Sequence, residues 1–113
     1  MYFKMNINNK LINVKSVYKE FQNNTNFKII DVRFPEEFKD EHIKKSINIP
    51  LDQIKNGIKN TIPDKNATIY TFCRSGERSS MAQAILKSMG YKNVKNVSGG
   101  ILEWKEQNLP TIK

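Results

Sequence analysis

The feature that most constrains the fold is a regular alternation of short apolar, β-branched segments with segments of helical periodicity. "FKIIDV" (27–32) and "ATIYTF" (67–72) have the composition of buried strands. "RSSMAQAILKSMG" (78–90) repeats apolar residues at helical spacing and ends on Gly90, a residue type that commonly terminates helices. Further strands are predicted within 10–14, 46–50 and 92–100, and further helices within 16–22, 34–42, 51–58 and 100–108. This alternation predicts an α/β domain with a central, mainly parallel sheet.

The length and the cysteine content of the chain indicate how many domains it forms and in which compartment we expect it. A chain of 113 residues suits one core, and we expect a single domain over 10–113 preceded by an N-terminal extension over 1–9. No apolar stretch reaches the about 20 residues of a membrane helix, and the first residues lack the pattern of a secretory signal. The one cysteine excludes an internal disulfide. We therefore predict a cytoplasmic protein without membrane contact.

The charge of the chain does not indicate a nucleic-acid partner. The net charge is +8, but 16 of the 19 basic residues are lysines spread along the whole chain. The basic doublet Lys44–Lys45 has no interleaved aromatic residues, which a single-strand binder would need. We expect this positive field to attract anionic small molecules or an acidic partner protein instead.

Cys73 lies where a parallel sheet of this kind places a functional site, directly after the predicted strand 67–72. The following "RSGERS" leads into a helix, and the first amides of a helix have no acceptor within it. Gly76 gives the loop the freedom to curl around the sulfur, while Arg74 and Arg78 add positive potential. Such an environment stabilises a thiolate, so Cys73 is the predicted nucleophile.

Other interpretations of Cys73 have less support. A buried structural thiol would not need this polar loop. A metal site is disfavoured because one cysteine and one histidine cannot supply the usual ligand sets. A protease-like pair of Cys73 with His42 is formally available.

Four stretches in register give the chain a resemblance to single-domain rhodanese-type sulfurtransferases: "IIDVRFPEEF", "HIKKSINIP", "CRSGERS" and "VSGGILEWKEQNLP". The resemblance implies a three-layer fold, a sheet of about five strands with helices on both faces, and no metal or organic cofactor. It also implies that Cys73 accepts a sulfane sulfur as a persulfide. The loop residues expected to cradle that sulfur are Arg74, Ser75, Gly76, Glu77, Arg78 and Ser79. The matching residues expected to have structural roles are Asp31, Arg33, His42 and Trp104.

The length of the loop separates sulfur transfer from phosphate chemistry. Tyrosine phosphatases and arsenate reductases are similar in arrangement but place their arginine after five intervening residues. Here four residues separate Cys73 from Arg78, which makes a smaller ring of amides.

The expected reaction moves sulfur from thiosulfate or a persulfide to cyanide or a thiol, with an acceptor protein as a further candidate partner. The alternative is a sulfur-carrier or interaction module that turns over little.

The chain departs from the family pattern at three places. Residues 44–46 ("KKS") replace small or turn-forming residues, and Asn108 replaces a frequent glycine; both look like changes in surface turns. Glu77 is the more consequential departure. A carboxylate directed at the sulfur would repel an anionic donor, so we expect Glu77 to point outward or to pair with an arginine. Glu77 is also the residue that the sequence suggests as the determinant of donor choice.

Overall fold

Strands and helices alternate along the computed structural model, which describes residues 10–23 and 25–113, in the order that the sequence predicts. The predicted extension, residues 1–9, lies outside the described residues. The strands are β1 (Lys10–Ile12), β2 (Lys28–Asp31), β3 (Ile47–Asn48), β4 (Thr68–Phe72) and β5 (Asn93–Val97). The helices are α1 (Val14–Gln22), α2 (Pro35–Asp40), α3 (Ile54–Thr61, after a 3-10 turn at Leu51–Gln53), α4 (Glu77–Ser88) and α5 (Gly100–Glu106).

The strands form one sheet in the order β1-β5-β4-β2-β3, and every pairing between neighbours is parallel. The register places Asp31 at the end of β2 opposite Phe72 at the end of β4. Strand β4 is therefore central, and Cys73 leaves the sheet at its carboxyl edge between the ends of β2 and β5. The predicted parallel α/β sheet is confirmed.

Helices cover both faces of this sheet. Neighbouring residues along a strand point to opposite sides, so each face presents its own set of apolar side chains to the helices. On one face Ile30 and Ile69 join a buried cluster with residues of α3 and α4. On the other face Tyr70 and Phe72 pack in a second cluster with residues of α1 and α5. The three-layer arrangement expected from the resemblance is thus present.

The boundary between β1 and α1 differs from the prediction. The strand predicted within 10–14 ends at Ile12, because Asn13 caps the helix: its side-chain Oδ1 accepts a hydrogen bond from the Ser16 amide at 2.8 Å. Helix α1 consequently begins at Val14 rather than at residue 16.

Among the described residues, two turns have left-handed backbones at residues other than glycine. These are Lys45 (φ 70°) and Asn108 (φ 59°), the positions where the chain departs from the small or glycine residues of the family pattern. Asparagine tolerates this conformation, whereas a lysine pays a steric cost of roughly 1–2 kcal/mol. Lys45 is therefore a strained position.

Replacing Lys45 by glycine should raise the free energy of unfolding by about 0.5–1 kcal/mol. The relief of left-handed strain exceeds the entropy that glycine adds to the unfolded chain. Lys44→Gly is the matched control, since Lys44 is equally exposed and has no positive φ. This variant should have a free energy of unfolding about 0.4–1 kcal/mol below that of the wild type. Denaturant unfolding of both variants checks the prediction, and equal destabilisation of the two would contradict it.

Candidate active site

The sulfur of Cys73 lies inside the loop that joins β4 to α4. It accepts hydrogen bonds from the backbone amides of Gly76 (3.1 Å) and Ser79 (3.3 Å). The Ser79 hydroxyl is also within hydrogen-bonding distance, at 3.2 Å. Gly76 adopts the left-handed conformation (φ 108°) that closes the loop. Because the amides of two residues point at one sulfur, the loop favours a negative charge there.

The outer side of the loop is fixed through its carbonyl groups. At the start of α5 the amides of Ile101 and Leu102 donate to the carbonyl oxygens of Cys73 (2.9 Å) and Arg74 (3.1 Å). On β5 the side-chain Nδ2 of Asn96 donates to the carbonyl of Gly76 at 3.1 Å. With these carbonyls held outward, loop amides are free to face the sulfur.

The close approach of α5 to the loop depends on Gly100. Its φ is 56°, and an added Cβ would overlap the carbonyl oxygens of Cys73 and Arg74. Only a residue without a side chain lets the following two amides reach those carbonyls.

Arg78 pairs with a carboxylate from outside the loop. Its Nη1 and Nη2 donate to Oε1 and Oε2 of Glu37 on α2, at 2.8 and 3.1 Å. The guanidinium also lies over the Phe34 ring, 5.6 Å from its centroid. The hydrogen bonds from Arg78 hold the pKa of Glu37 below its ordinary value, and Glu37 raises the pKa of Arg78 in return. The side chain of Glu77, by contrast, is exposed, so the carboxylate that binds Arg78 is Glu37.

Asp31 and Arg33 form a buried ion pair beneath this edge of the sheet. The Asp31 carboxylate accepts from the Arg33 Nη2 at 2.8 Å and from the Arg33 backbone amide at 3.0 Å. Arg33 also donates to the carbonyl of Glu41, at the end of α2, at 2.7 Å. The pair therefore ties the end of β2 to the segment that follows it.

His42 and Trp104 make local contacts. The Nδ1 of His42 lies 2.7 Å from the Phe38 carbonyl, and its ring stacks on that of Phe38. Trp104 is buried, and its Nε1 donates to the Pro110 carbonyl at 2.8 Å. Within the described residues, the hydrogen bonds of the Cys73 sulfur go to Gly76 and Ser79, so the geometry gives no support to the protease-like pairing with His42.

The remaining loop residues differ in exposure. Arg74 and Ser75 are exposed, whereas Ser79 is fully buried. In the part of the chain that the structure describes, no three His, Cys, Asp or Glu side chains come together as a metal site would require. Nor does any described helix have the length and apolar character needed to cross a membrane.

Sequence reasoning missed three residues that shape the site: Glu37, Asn96 and Gly100. Glu37 and Gly100 lie inside stretches that carry the family resemblance, yet nothing in those stretches says what they touch. Asn96 gives a weak signal as a polar residue within a predicted strand.

A cysteine held in an amide-rich loop at the carboxyl edge of a parallel sheet defines the general class as α/β domains with a cysteine nucleophile. The chain belongs, within that class, to the rhodanese-like domain family, whose model matches residues 14–107. Thiosulfate sulfurtransferase PspE of Escherichia coli is 43% identical over 84 residues, which cover 74% of this chain and 77% of that protein.

Two further proteins extend the comparison. The putative sulfur carrier protein YrkF of Bacillus subtilis is 32% identical over 93 residues; the match covers 82% of this chain and 49% of YrkF. The crystal structure of a rhodanese-related protein from Thermoplasma volcanium is similar with a TM-score of 0.79 at 30% identity, covering 91% of this chain and 97% of that one. The predicted family, fold and sulfurtransferase class are confirmed.

Proposed function

We propose that residues 10–113, as one domain, act as a thiosulfate sulfurtransferase with Cys73 as the sulfur carrier. The observation that carries this proposal is the placement of the Cys73 sulfur, which accepts two backbone amide hydrogen bonds in a buried loop. The name of PspE supports thiosulfate as a donor. The single cysteine also supports a reducing compartment, and we infer a cytoplasmic location.

The first half-reaction loads the cysteine. The Cys73 thiolate attacks the outer sulfur of thiosulfate and forms a new S–S bond. The S–S bond of thiosulfate breaks, and its electron pair leaves with sulfite. The product is a Cys73 persulfide, whose outer sulfur we place against the loop amides. Glu77 and Arg78 are the first two residues of α4, so their amides have no acceptor within the helix. With the amides of Arg74 and Ser75, they support the predicted cradle.

The second half-reaction unloads the persulfide to an external acceptor. Cyanide or a thiolate attacks the outer sulfur, takes it as thiocyanate or as a new persulfide, and returns the Cys73 thiolate. The chain has one cysteine, so no internal thiol can resolve the persulfide. Small sulfur donors and thiol acceptors, together with a candidate acceptor protein, are the partners that this chemistry needs. The two-step path predicts ping-pong kinetics.

The function is tested by measuring loading and turnover separately. After incubation with thiosulfate, the peptide that contains Cys73 should gain one sulfur atom, which a reducing agent removes. Thiocyanate should then form from thiosulfate and cyanide with parallel double-reciprocal lines. Absence of the added sulfur would overturn the proposal.

A sulfur carrier with little turnover is the second candidate, and the name of YrkF favours it. It predicts full loading of Cys73 with negligible thiocyanate formation. Hydrolysis of an aryl phosphate would instead indicate the phosphatase chemistry that the loop length disfavours.

A further inference from the structure

Glu37 forms an ion pair with Arg78, whose positive charge the loop would otherwise present to an anionic donor. Both of its carboxylate oxygens are bonded to the terminal nitrogens of Arg78, at 2.8 and 3.1 Å. One of these oxygens also accepts from the Phe34 amide at 2.8 Å, which anchors Glu37 at the start of α2. The guanidinium is therefore held from its edge by Glu37 and lies over the ring of Phe34.

This pairing matters because Arg78 lies in the sulfur-binding segment itself. It stands between Gly76 and Ser79, whose amides both donate to the Cys73 sulfur. After its hydrogen bond to Glu37, charge attraction from Cys73 is among the causes that raise the pKa of Arg78. A positive charge at this place attracts a donor in proportion to the donor's own negative charge. A carboxylate bonded to it cancels much of that attraction.

We propose that Glu37 is a specificity-determining residue that selects sulfur donors by charge. By neutralising Arg78 it weakens the binding of dianionic donors such as thiosulfate more than that of monoanionic or neutral donors. The inference rests on the proposed sulfur transfer through Cys73 and assigns donor choice to Glu37 rather than to Glu77. Of the two loop arginines, Arg74 is exposed and forms no ion pair with any described residue, so it keeps a positive charge at the loop.

Glu37→Gln tests the proposal, because glutamine keeps an oxygen that can accept from the Phe34 amide but carries no charge. The probes are thiosulfate, a dianion, and methanethiosulfonate, a monoanion that also donates its outer sulfur and leaves as methanesulfinate. KM for thiosulfate should fall about threefold to fivefold, the range expected for releasing a partly exposed charge. KM for methanethiosulfonate should fall about twofold or less, since its charge is half as large. Added salt should screen the charges and abolish both decreases in KM.

Glu36→Gln is the matched control. Glu36 is the neighbouring residue in the first turn of α2, is exposed and pairs with no described residue, so its replacement removes the same charge but leaves Arg78 bound. We expect its KM values to match those of the wild type. The proposal would be overturned if Glu36→Gln and Glu37→Gln lowered KM for thiosulfate equally, or if Glu77→Gln alone lowered it.

A separate measurement distinguishes this inference from the proposed function. Loading of Cys73 by thiosulfate is followed by mass in wild type and variants, with thermal unfolding as the check on folding. If wild type loads and Glu37→Gln loads more slowly with both donors, Glu37 supports the loop structure and the charge selection is wrong. If wild type itself does not load, the proposed function has failed.

Discussion

Replacing Cys73 by serine should abolish sulfur transfer while the fold persists. An alkoxide is not available near neutral pH and a hydroxyl does not form a stable persulfide, so the covalent path is lost. We expect transfer from thiosulfate to cyanide to fall by at least about a thousandfold. Mass measurement after incubation with thiosulfate should show no added sulfur. A serine variant that gained sulfur as the wild type does would contradict the assignment of Cys73.

Cys73→Ala should lose the same activity but also stability. The sulfur accepts from the amides of Gly76 and Ser79, and Ser79 is fully buried. Alanine leaves these donors without an acceptor, at a cost of about 1–3 kcal/mol. Serine retains an oxygen that can accept, so its unfolding free energy should stay within about 1 kcal/mol of the wild type. Denaturant unfolding of the two variants compares them. Equal stability would mean that the loop amides do not depend on the sulfur as an acceptor.

The position of Cys73 could be predicted from sequence because it depends on local signals. A β-branched apolar run ends at Phe72, and a helical pattern begins within a few residues of it. The alternation of elements predicts a parallel sheet, and in such sheets sites form at the carboxyl ends of the strands, which is where Cys73 follows β4. Gly76 and Ser79 lie only a few residues after Cys73 in the chain. A tight loop is therefore enough to bring their amides close to the sulfur.

The partners of this loop could not be predicted because they come from distant parts of the chain. Glu37 meets Arg78 across 41 residues, and Asn96 meets Gly76 across 20. The sequence left open whether Glu77 points outward or pairs with an arginine; in the structure Glu77 is exposed in the first turn of α4, and Glu37 is the partner of Arg78. Which carboxylate reaches a cation depends on how α2 packs against the loop.

Replacing Gly100 by alanine should damage both stability and sulfur transfer. The left-handed backbone, with φ of 56°, costs an alanine roughly 1–2 kcal/mol. Its methyl group would also overlap the carbonyl oxygens of Cys73 and Arg74. The amides of Ile101 and Leu102 then cannot keep their bonds to those oxygens, and each lost bond adds about 1 kcal/mol. We expect the unfolding free energy to fall by more than about 3 kcal/mol in total.

The same substitution should reduce loading of Cys73 per folded molecule by about a hundredfold, the effect of displacing a reacting group by about 1 Å. Gly90→Ala is the control. Gly90 is also left-handed, with φ of 99°, but an added methyl group would lie 3.9 Å from its nearest neighbour, Lys65 Nζ. It should lose roughly 1–2 kcal/mol and load Cys73 as the wild type does. Loading is measured by mass at a temperature where unfolding curves show both variants folded. If the two variants load equally well, α5 does not position the sulfur-binding loop, and Gly100 serves only the turn in which it lies.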